Sequence, residues 1–347
     1  MMDLAALNDV AERMVASGKG ILAADESTGT IQKRFDAIGV ECTEASRRDY
    51  RELLLRATEA VRRYISGVIL CEETLYQDAA DATPLIKLVV DAGAVPGVKV
   101  DKGVKPLPNF PGETITEGLD GLAERLARDA RRGARFAKWR ATIHIGDGAP
   151  TAAAVHAQAH ALARYAALCQ AAQIVPIVEP EVLMDGAHDI SRCDEVTRLV
   201  LKAVFQALFE QRVALEGMVL KPNMILSGSD CADQPSVDEI AHRTVAAFKA
   251  VVPAAVPGIA CLSGGQSDVE ATSRLDAMNR IGDLPWKLTF SYGRALQAAP
   301  QKAWSGRPEN AAAAQNVFIH RARMNALASR GQWDKALEAG ASRAAAQ

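Results

Sequence analysis

Short apolar runs recur along the chain, each bounded by glycine or by polar residues, and they predict buried strands. Most runs are continuously apolar, which is typical of parallel strands that are covered on both faces. The pattern therefore favours a parallel sheet. The eight predicted strands span residues 20–24, 67–71, 95–100, 136–140, 174–178, 217–220, 258–262 and 288–291.

Longer segments with helical periodicity separate these runs. Residues 43–63, for example, open with a threonine that can cap a helix and carry an apolar stripe through Leu53, Leu54 and Ala57. Ser236 and Glu239 have the spacing of a capping box, and Gly133 is placed to end a helix. The other predicted helices span residues 117–132, 151–171, 192–211, 236–251 and 267–280.

Alternating strands and helices suit either a closed barrel or an open doubly wound sheet, and the polar residues decide between them. Seven polar residues each lie at or just after the end of a different predicted strand, and those from Lys99 to Ser263 are 39 to 42 residues apart. Only a closed barrel brings seven strand ends to one pocket, which is where barrel enzymes hold their catalytic groups. The seven residues are Asp25, Lys99, Lys138, Glu179, Lys221, Ser263 and Arg294.

We therefore predict an α/β fold with a single domain, a (β/α)8 TIM barrel over residues 1–331. The Ala-rich segment that follows, residues 332–347, is predicted to be a mobile tail.

Composition and charge restrict the partners. The formal net charge of −2 over 347 residues gives no indication of a nucleic-acid or membrane partner. No apolar run approaches the roughly 20 residues of a membrane span, and residues 1–8 lack the features of a signal peptide. The six cysteines are scattered singly, so we expect reduced thiols, mostly packing residues, in a cytoplasmic protein.

Lys221 ends the apolar run 217–220, where a buried ammonium group is costly. Burial and a nearby cation both lower a lysine pKa, and the neutral amine can then attack a carbonyl. Lys138, in the same predicted pocket, is a candidate for that cation. The alternative is that Lys221 reaches the rim of the barrel or forms a structural ion pair.

Carboxylates are candidates for proton transfer. Glu179 and Glu181 flank Pro180, and residues two apart in an extended strand face the same way. Two carboxylates in one pocket raise the pKa of at least one of them, which suits an acid–base group. Asp25 is a third candidate. All three can also serve to neutralise Lys138 and Lys221.

Phosphate binding is predicted at two loops. Ser263 and Gly264 leave the seventh predicted strand and open a helix, where backbone N–H groups can bind an anion. Ser291, Gly293 and Arg294 form a similar loop at the eighth strand. Loops seven and eight are the usual phosphate site of such barrels.

A metal site is not predicted. His156 and His160 lie one helical turn apart, but no carboxylate ligand accompanies them in a metalloprotease-type pattern.

The chain resembles class I fructose-bisphosphate aldolases of the eukaryotic type, nearly without gaps from about residue 7 to residue 331. The segments that carry the resemblance are 20–29, 98–103, 136–140, 177–181, 220–223, 262–266 and 290–294.

The resemblance implies a reversible cleavage of fructose 1,6-bisphosphate into dihydroxyacetone phosphate and glyceraldehyde 3-phosphate. Lys221 would form the Schiff base, Glu179 would be its acid–base group, and Asp25 would take the proton of the C4 hydroxyl. Lys138 would assist C–C bond chemistry, and Glu181 and Lys99 would support this network.

The resemblance also assigns the phosphate contacts and the assembly. Ser263, Gly264, Gly293 and Arg294 match the C1-phosphate site, and Arg34 and Arg140 match residues at the other phosphate. The family uses no metal or other cofactor beyond the covalent Schiff base, and it is usually homotetrameric.

Three departures from the family pattern stand out. Thr30 replaces a frequent serine and keeps the hydroxyl group, and Glu72 stands where many relatives have histidine. The vertebrate members end in a tyrosine that assists proton exchange on the enamine, whereas this chain has no tyrosine after Tyr292.

Two other functions remain open on the sequence. A transaldolase-like enzyme would also use a Schiff-base lysine on a barrel, and a barrel can acquire an added role as a scaffold or cytoskeleton binder. The two phosphate-type loops with Arg34 and Arg140 favour a bisphosphate substrate.

Overall fold

The computed structural model describes residues 2–340. Eight of its strands pair in parallel and close into a barrel, in the order β1-β2-β3-β6-β7-β8-β9-β10 and back to β1, and the other two form a small antiparallel hairpin. The strands are β1 (Gly20–Ala24), β2 (Ile65–Leu70), β3 (Val95–Lys99), β4 (Val104–Pro106), β5 (Thr114–Thr116), β6 (Phe136–Ile143), β7 (Val175–Val182), β8 (Val219–Leu220), β9 (Gly258–Cys261) and β10 (Lys287–Tyr292).

Helices surround the barrel, and several begin with a side chain that caps them, such as Thr151 and Asp189. They are α1 (Leu4–Met14), α2 (Thr28–Asp36), α3 (Glu44–Leu55), α4 (Thr58–Tyr64), α5 (Glu72–Tyr76), α6 (Leu85–Asp91), α7 (Leu122–Arg132), α8 (Ala152–Ala171), α9 (Ile190–Glu210), α10 (Val237–Val251), α11 (Asp268–Arg280), α12 (Arg294–Trp304) and α13 (Ala311–Ala328).

Buried side chains alternate along the strands between two clusters, because successive residues of a strand point to opposite faces. The larger cluster lies between the barrel and its helices. The smaller one fills the barrel interior, where the Phe136 ring occupies the space that a side chain at Gly97 would need. The strand residues of this interior cluster are Ile21, Ala23, Ile69, Val95, Phe136, Val175, Ile177, Val219 and Ala260.

Helix α1 closes the end of the barrel at which the strands begin. Leu7, Ala11, Met14 and Val15 belong to the interior cluster. The side chain of Asn8 donates to the backbone oxygen of Glu216, with 2.9 Å between Nδ2 and O. The opposite end, where the strands finish, is left for polar side chains.

The predicted (β/α)8 barrel is confirmed, but two strand ends were placed too early. β6 and β7 continue past residues 140 and 178, so Lys138 and Glu179 lie inside strands rather than at their ends. An apolar run stops at the first polar residues, whereas these strands continue through Arg140 and Glu181, which pair with each other. Glu181 is buried and Arg140 is half-buried.

Two predicted helices also differ. Segment 43–63 forms two helices, because α3 ends at Leu55 and α4 begins at Thr58. Segment 117–132 becomes helical only at Leu122, after the unpredicted β4–β5 hairpin. Ser236 caps α10 as predicted, but the capping box there is incomplete, since the Glu239 carboxylate accepts from Arg243 instead.

Within the described part of the predicted tail, residues 332–340, Trp333 and Glu338 contact the outer helices α11 and α13. The backbone N–H of Trp333 donates to the Asp276 carboxylate at 2.8 Å, and the indole N–H donates to Glu338 at 2.9 Å. Glu338 also pairs with Arg321 of α13. The remaining part of that prediction, residues 341–347, lies outside the described residues.

We expect Phe136→Ala to lower the free energy of unfolding by about 3–5 kcal/mol, because it removes a fully buried ring from the barrel interior. Urea denaturation measures this. Phe209→Ala is the matched control: Phe209 is 79% exposed, so its loss should change stability by less than about 0.5 kcal/mol. Equal effects for the two variants would contradict the interior packing of Phe136.

Candidate active site

Four charged side chains continue the inward-facing register beyond the apolar interior. Each lies two positions after a residue of the interior cluster and therefore points into the same space. All four are buried. They are Asp25 after Ala23, Lys138 after Phe136, Glu179 after Ile177 and Lys221 after Val219.

These side chains form a chain of alternating charges. Lys138 Nζ lies 3.0 Å from Asp25 Oδ2 and 3.1 Å from Glu179 Oε2. The other carboxylate oxygen of Glu179, Oε1, lies 3.0 Å from Lys221 Nζ. We call Asp25, Lys138, Glu179 and Lys221 the charge quartet. Two cations and two anions neutralise one another, which is how buried charges are tolerated.

Neighbouring charges in the quartet outweigh burial. Burial alone would raise the pKa of Asp25, but Lys138 and then Lys221 lower it from 3.8 to about 2. Burial alone would lower the pKa of Lys138, but Asp25 and Glu179 raise it well above its ordinary value. Asp25 is therefore ionised and Lys138 protonated near neutral pH.

Lys221 is held at the end of the shortest barrel strand. Its backbone N–H donates to Val178 O at 2.8 Å, so the strand pairing continues one residue past β8. Its amine contacts a carboxylate that can accept or return a proton. An amine beside an acid–base group can attack a carbonyl and lose the resulting water, so the site is suited to Schiff-base formation.

Lys99 and Glu181 lie beside the quartet rather than in it. Lys99 Nζ is 2.5 Å from Asp101 Oδ1, while Glu181 pairs with Arg140. Glu181 also borders the loop after β9, because a Cβ on Gly264 of that loop would lie 2.6 Å from Oε1 of Glu181. The structure thus brings both residues to the pocket and gives each a different partner.

The two predicted phosphate loops meet. Arg294, the first residue of α12, donates through Nη2 to the backbone oxygen of Gln266 at 3.4 Å, which joins the loop after β10 to the loop after β9. Ser263 and Ser291 are both buried. Within the described part of the chain, Ser291 Oγ has no hydrogen-bond partner, so its hydroxyl group is available to a ligand.

Arg34, Thr30 and Arg140 border this region from two elements, α2 and β6. Arg34 of α2 pairs with Glu26, and its Nη2 lies 3.8 Å from where a Cβ on Gly293 would be. Thr30 is exposed in the first turn of α2, with its hydroxyl 3.0 Å from Ser27 Oγ. Arg34 therefore lies near the strand-ten loop, whereas Arg140 lies across the pocket against Glu181.

Sequence reasoning missed Arg51, which holds part of the site in place. This arginine of α3 donates to Ala24 O and to Glu26, both at 2.9 Å, and Glu26 in turn holds Arg34. Its position among Tyr50, Leu53 and Leu54 of an apolar helix face was the available signal.

Glu72, which stands where many relatives have histidine, pairs with Lys102 and Arg128. These contacts link α5 to the loop after β3 and to α7 at the rim of the pocket.

Among residues 2–340, no three or more His, Cys, Asp or Glu side chains come together in a group that could hold a metal ion. No helix in the same part of the chain has the length and apolarity needed to cross a membrane.

Residues 6–347 match the family profile described as "Fructose-bisphosphate aldolase class-I". The chain belongs to this family. A Xanthomonas campestris protein named as a probable fructose-bisphosphate aldolase class 1 is 53% identical, over 96% of this chain and 99% of the relative. Rattus norvegicus fructose-bisphosphate aldolase C is 52% identical, over 96% of this chain and 93% of its own.

A solved aldolase structure is similar over nearly the whole chain. The fructose-bisphosphate aldolase of Plasmodium falciparum, in a complex with TRAP and a small-molecule inhibitor, superposes with a TM-score of 0.94. It is 47% identical, and the alignment covers 95% of this chain and 96% of that one. The predicted aldolase family is confirmed, and the transaldolase-like alternative is set aside.

We expect Lys138→Met to raise the pKa of Asp25 from about 2 to its ordinary value of 3.8 or above, because burial remains while its principal cation is lost. A carboxyl-carbon NMR titration, assigned with Asp25→Asn, measures this.

The matched control is Lys99→Met, since Lys99 contributes least to the Asp25 shift and pairs with Asp101. An unchanged Asp25 pKa in Lys138→Met would refute the electrostatic origin of the shift. The pKa of Asp25 is lower in the folded chain than its ordinary value of 3.8, so ionised Asp25 stabilises the fold above pH 3.8 and progressively less as the pH falls toward 2. Lys138→Met removes this stabilisation, so acid unfolding of the variant should begin at a higher pH than that of the native chain.

Proposed function

We propose that this class I aldolase cleaves fructose 1,6-bisphosphate reversibly through a Schiff base on Lys221. The supporting observation is the contact of the buried Lys221 amine with Glu179. The pocket is bordered by the loops after β9 and β10, the two predicted phosphate-binding loops, which Arg294 joins. The products are dihydroxyacetone phosphate and glyceraldehyde 3-phosphate.

Glu179 is placed for the proton transfers of imine formation. Glu179 first takes a proton from the Lys221 ammonium group, and the neutral amine attacks the C2 carbonyl of the open-chain sugar. Glu179 then returns that proton to the C2 hydroxyl, which leaves as water. The same carboxylate forms ion pairs with both amines, at 3.0 Å from Lys221 and 3.1 Å from Lys138. The resulting iminium then accepts the electron pair of the C3–C4 bond.

Asp25 takes the proton of the C4 hydroxyl. A carboxylate with a pKa of about 2 is a weak base, and it suffices because that hydroxyl becomes strongly acidic as the C3–C4 bond breaks. Lys138 keeps Asp25 ionised and can donate a hydrogen bond to the same oxygen. The quartet thus separates two tasks: Glu179 acts at C2 and Asp25 acts at C4.

The phosphates bind at opposite ends of the pocket. Ser263, Gly264, Ser291, Gly293 and Arg294 surround the point where the two loops meet and take the C1 phosphate. The family resemblance assigns Arg140, Arg34 and Thr30 to the C6 phosphate, with Lys99 and Glu181 supporting the Arg140 side of the pocket. Arg34 also borders the loop after β10 and therefore lies between the two phosphate positions.

The reaction needs no metal or organic cofactor, because the Lys221 iminium supplies the electron sink that a Lewis acid would otherwise provide. The homotetramer and the cytoplasmic location stay predictions. Sedimentation of the purified chain tests the first.

Borohydride added with dihydroxyacetone phosphate should inactivate the enzyme and attach the reduced sugar to Lys221, because reduction traps the imine. Peptide mass mapping identifies the lysine. Lys221→Met should lose essentially all turnover and take up no label.

Lys138 and Lys99 are the internal controls, since both amines face the pocket but pair with other carboxylates, Lys138 with Asp25 and Lys99 with Asp101. A label on either of them, with Lys221 unmodified, would reverse the assignment.

Arg294→Ala should weaken binding of fructose 1,6-bisphosphate and of dihydroxyacetone phosphate alike, by about 1.5–3 kcal/mol for one charged hydrogen bond. Steady-state kinetics and a competition assay measure the two effects. Arg280→Ala removes an arginine that pairs with Asp276 and serves as the control. A normal KM with a collapsed kcat would instead place Arg294 in the bond-breaking step.

A further inference from the structure

Strand β2 contributes a thiol to the inward-facing register. Cys71 comes two positions after Ile69 of the interior cluster, just as Asp25 and Lys138 follow Ala23 and Phe136. Cys71 is half-buried, and its sulfur lies 3.2 Å from the hydroxyl oxygen of Thr74. The proposed reaction gives this thiol no task.

A pocket of about 340 Å³ opens beside Cys71. Its lining includes Arg47, Arg51 and Cys71 together with Asp25 and Lys99 of the candidate active site. A group attached to this thiol would therefore extend into space next to the quartet.

Arg51 provides an unused hydrogen-bond donor at this pocket. The residue is 1% exposed, and its Nε and Nη2 atoms donate to Ala24 O and Glu26. Its Nη1 atom is buried and has no acceptor among the residues that the structure describes. The guanidinium lies close enough to Cys71 for the two to interact electrostatically. Buried donors without a partner are rare, so this one indicates a place for an acceptor.

The other five thiols lack this combination. Cys169, Cys193 and Cys261 are buried, and burial raises the pKa of Cys261 to about 12. Cys231 contacts the backbone oxygen of Asp233, with 3.4 Å between Sγ and O. Cys42 lies 3.7 Å from Arg47 Nη1 but does not line the pocket.

We propose that Cys71 is a modification site for low-molecular-weight disulfides of the glutathione class. The Cys71 thiolate attacks one sulfur of the disulfide, the S–S bond breaks, and the departing thiolate takes up a proton. The product is a mixed disulfide at Cys71, and Arg51 Nη1 binds a carboxylate of the attached peptide. The adduct fills the pocket beside Asp25 and Lys99 and excludes the sugar bisphosphate.

Glutathione disulfide added to the full chain tests the site, with peptide mass mapping as the readout. One glutathione should attach to Cys71 and be removed by dithiothreitol. Cys71→Ser and Cys71→Ala should lose this adduct and keep basal activity. The matched controls Cys42→Ser and Cys231→Ser should keep the adduct. Attachment to Cys42 or Cys231 while Cys71 stays free would overturn the proposal.

Substrate competition tests whether the adduct at Cys71 and the sugar bisphosphate exclude each other from the pocket. This test rests on the proposed function, whereas the mass mapping of Cys71 does not. Fructose 1,6-bisphosphate at ten times its Kd should slow the modification of Cys71 about tenfold, because only the free fraction reacts. Turnover should fall in proportion to the adduct in the native chain and stay constant in Cys71→Ser. Modification at an unchanged rate, or full turnover by the modified enzyme, would refute the coupling.

Discussion

The charge quartet is the interaction on which the rest of the site depends. Lys138 contacts carboxylates from two other strands, and Glu179 contacts lysines from two other strands, so none of the four side chains has its partner on its own strand. Removing one partner leaves an uncompensated buried charge, which costs several kcal/mol. The quartet can be neutral only when β1, β6, β7 and β8 have assembled, so the site and the closed barrel require each other.

The barrel interior changes from apolar to charged within two residues along each of four strands, which is the spacing of side chains on one face of a strand. Up to Ala23, Phe136, Ile177 and Val219 the inward side chains pack against one another, and two positions later they carry charge. Lysine and carboxylate groups are thereby kept away from water on one side by a packed layer. In such a setting they interact with one another and with a substrate more strongly than they would in solution.

Much of this arrangement could be predicted from the sequence, because it follows from the period of two along a strand and the length of one strand–helix unit. The position of Lys138 in the middle of its strand could not be predicted from the sequence. Polar residues of β6 pair with residues of β7, and in the sequence they interrupt the apolar run before the strand ends. Arg51 was missed for a related reason. Its acceptors, Ala24 O and Glu26, lie about 25 residues away, and only the folded chain brings them to α3. The role proposed for Cys71 depends in the same way on a pocket whose lining comes from the ends of β1, β2 and β3 and from α2, α3 and α5.

Helix α1 has a consequence for the order of events during synthesis. It is synthesised before the barrel strands, but its neighbours at the end of the barrel where the strands begin include Gly217 and Gly258, which are made after most of those strands. Until then Leu7, Met14 and Val15 have no complete surface to cover them. Helix α1 can therefore reach its final place only late, and a nascent chain carries an uncovered apolar segment while most of the barrel strands are made.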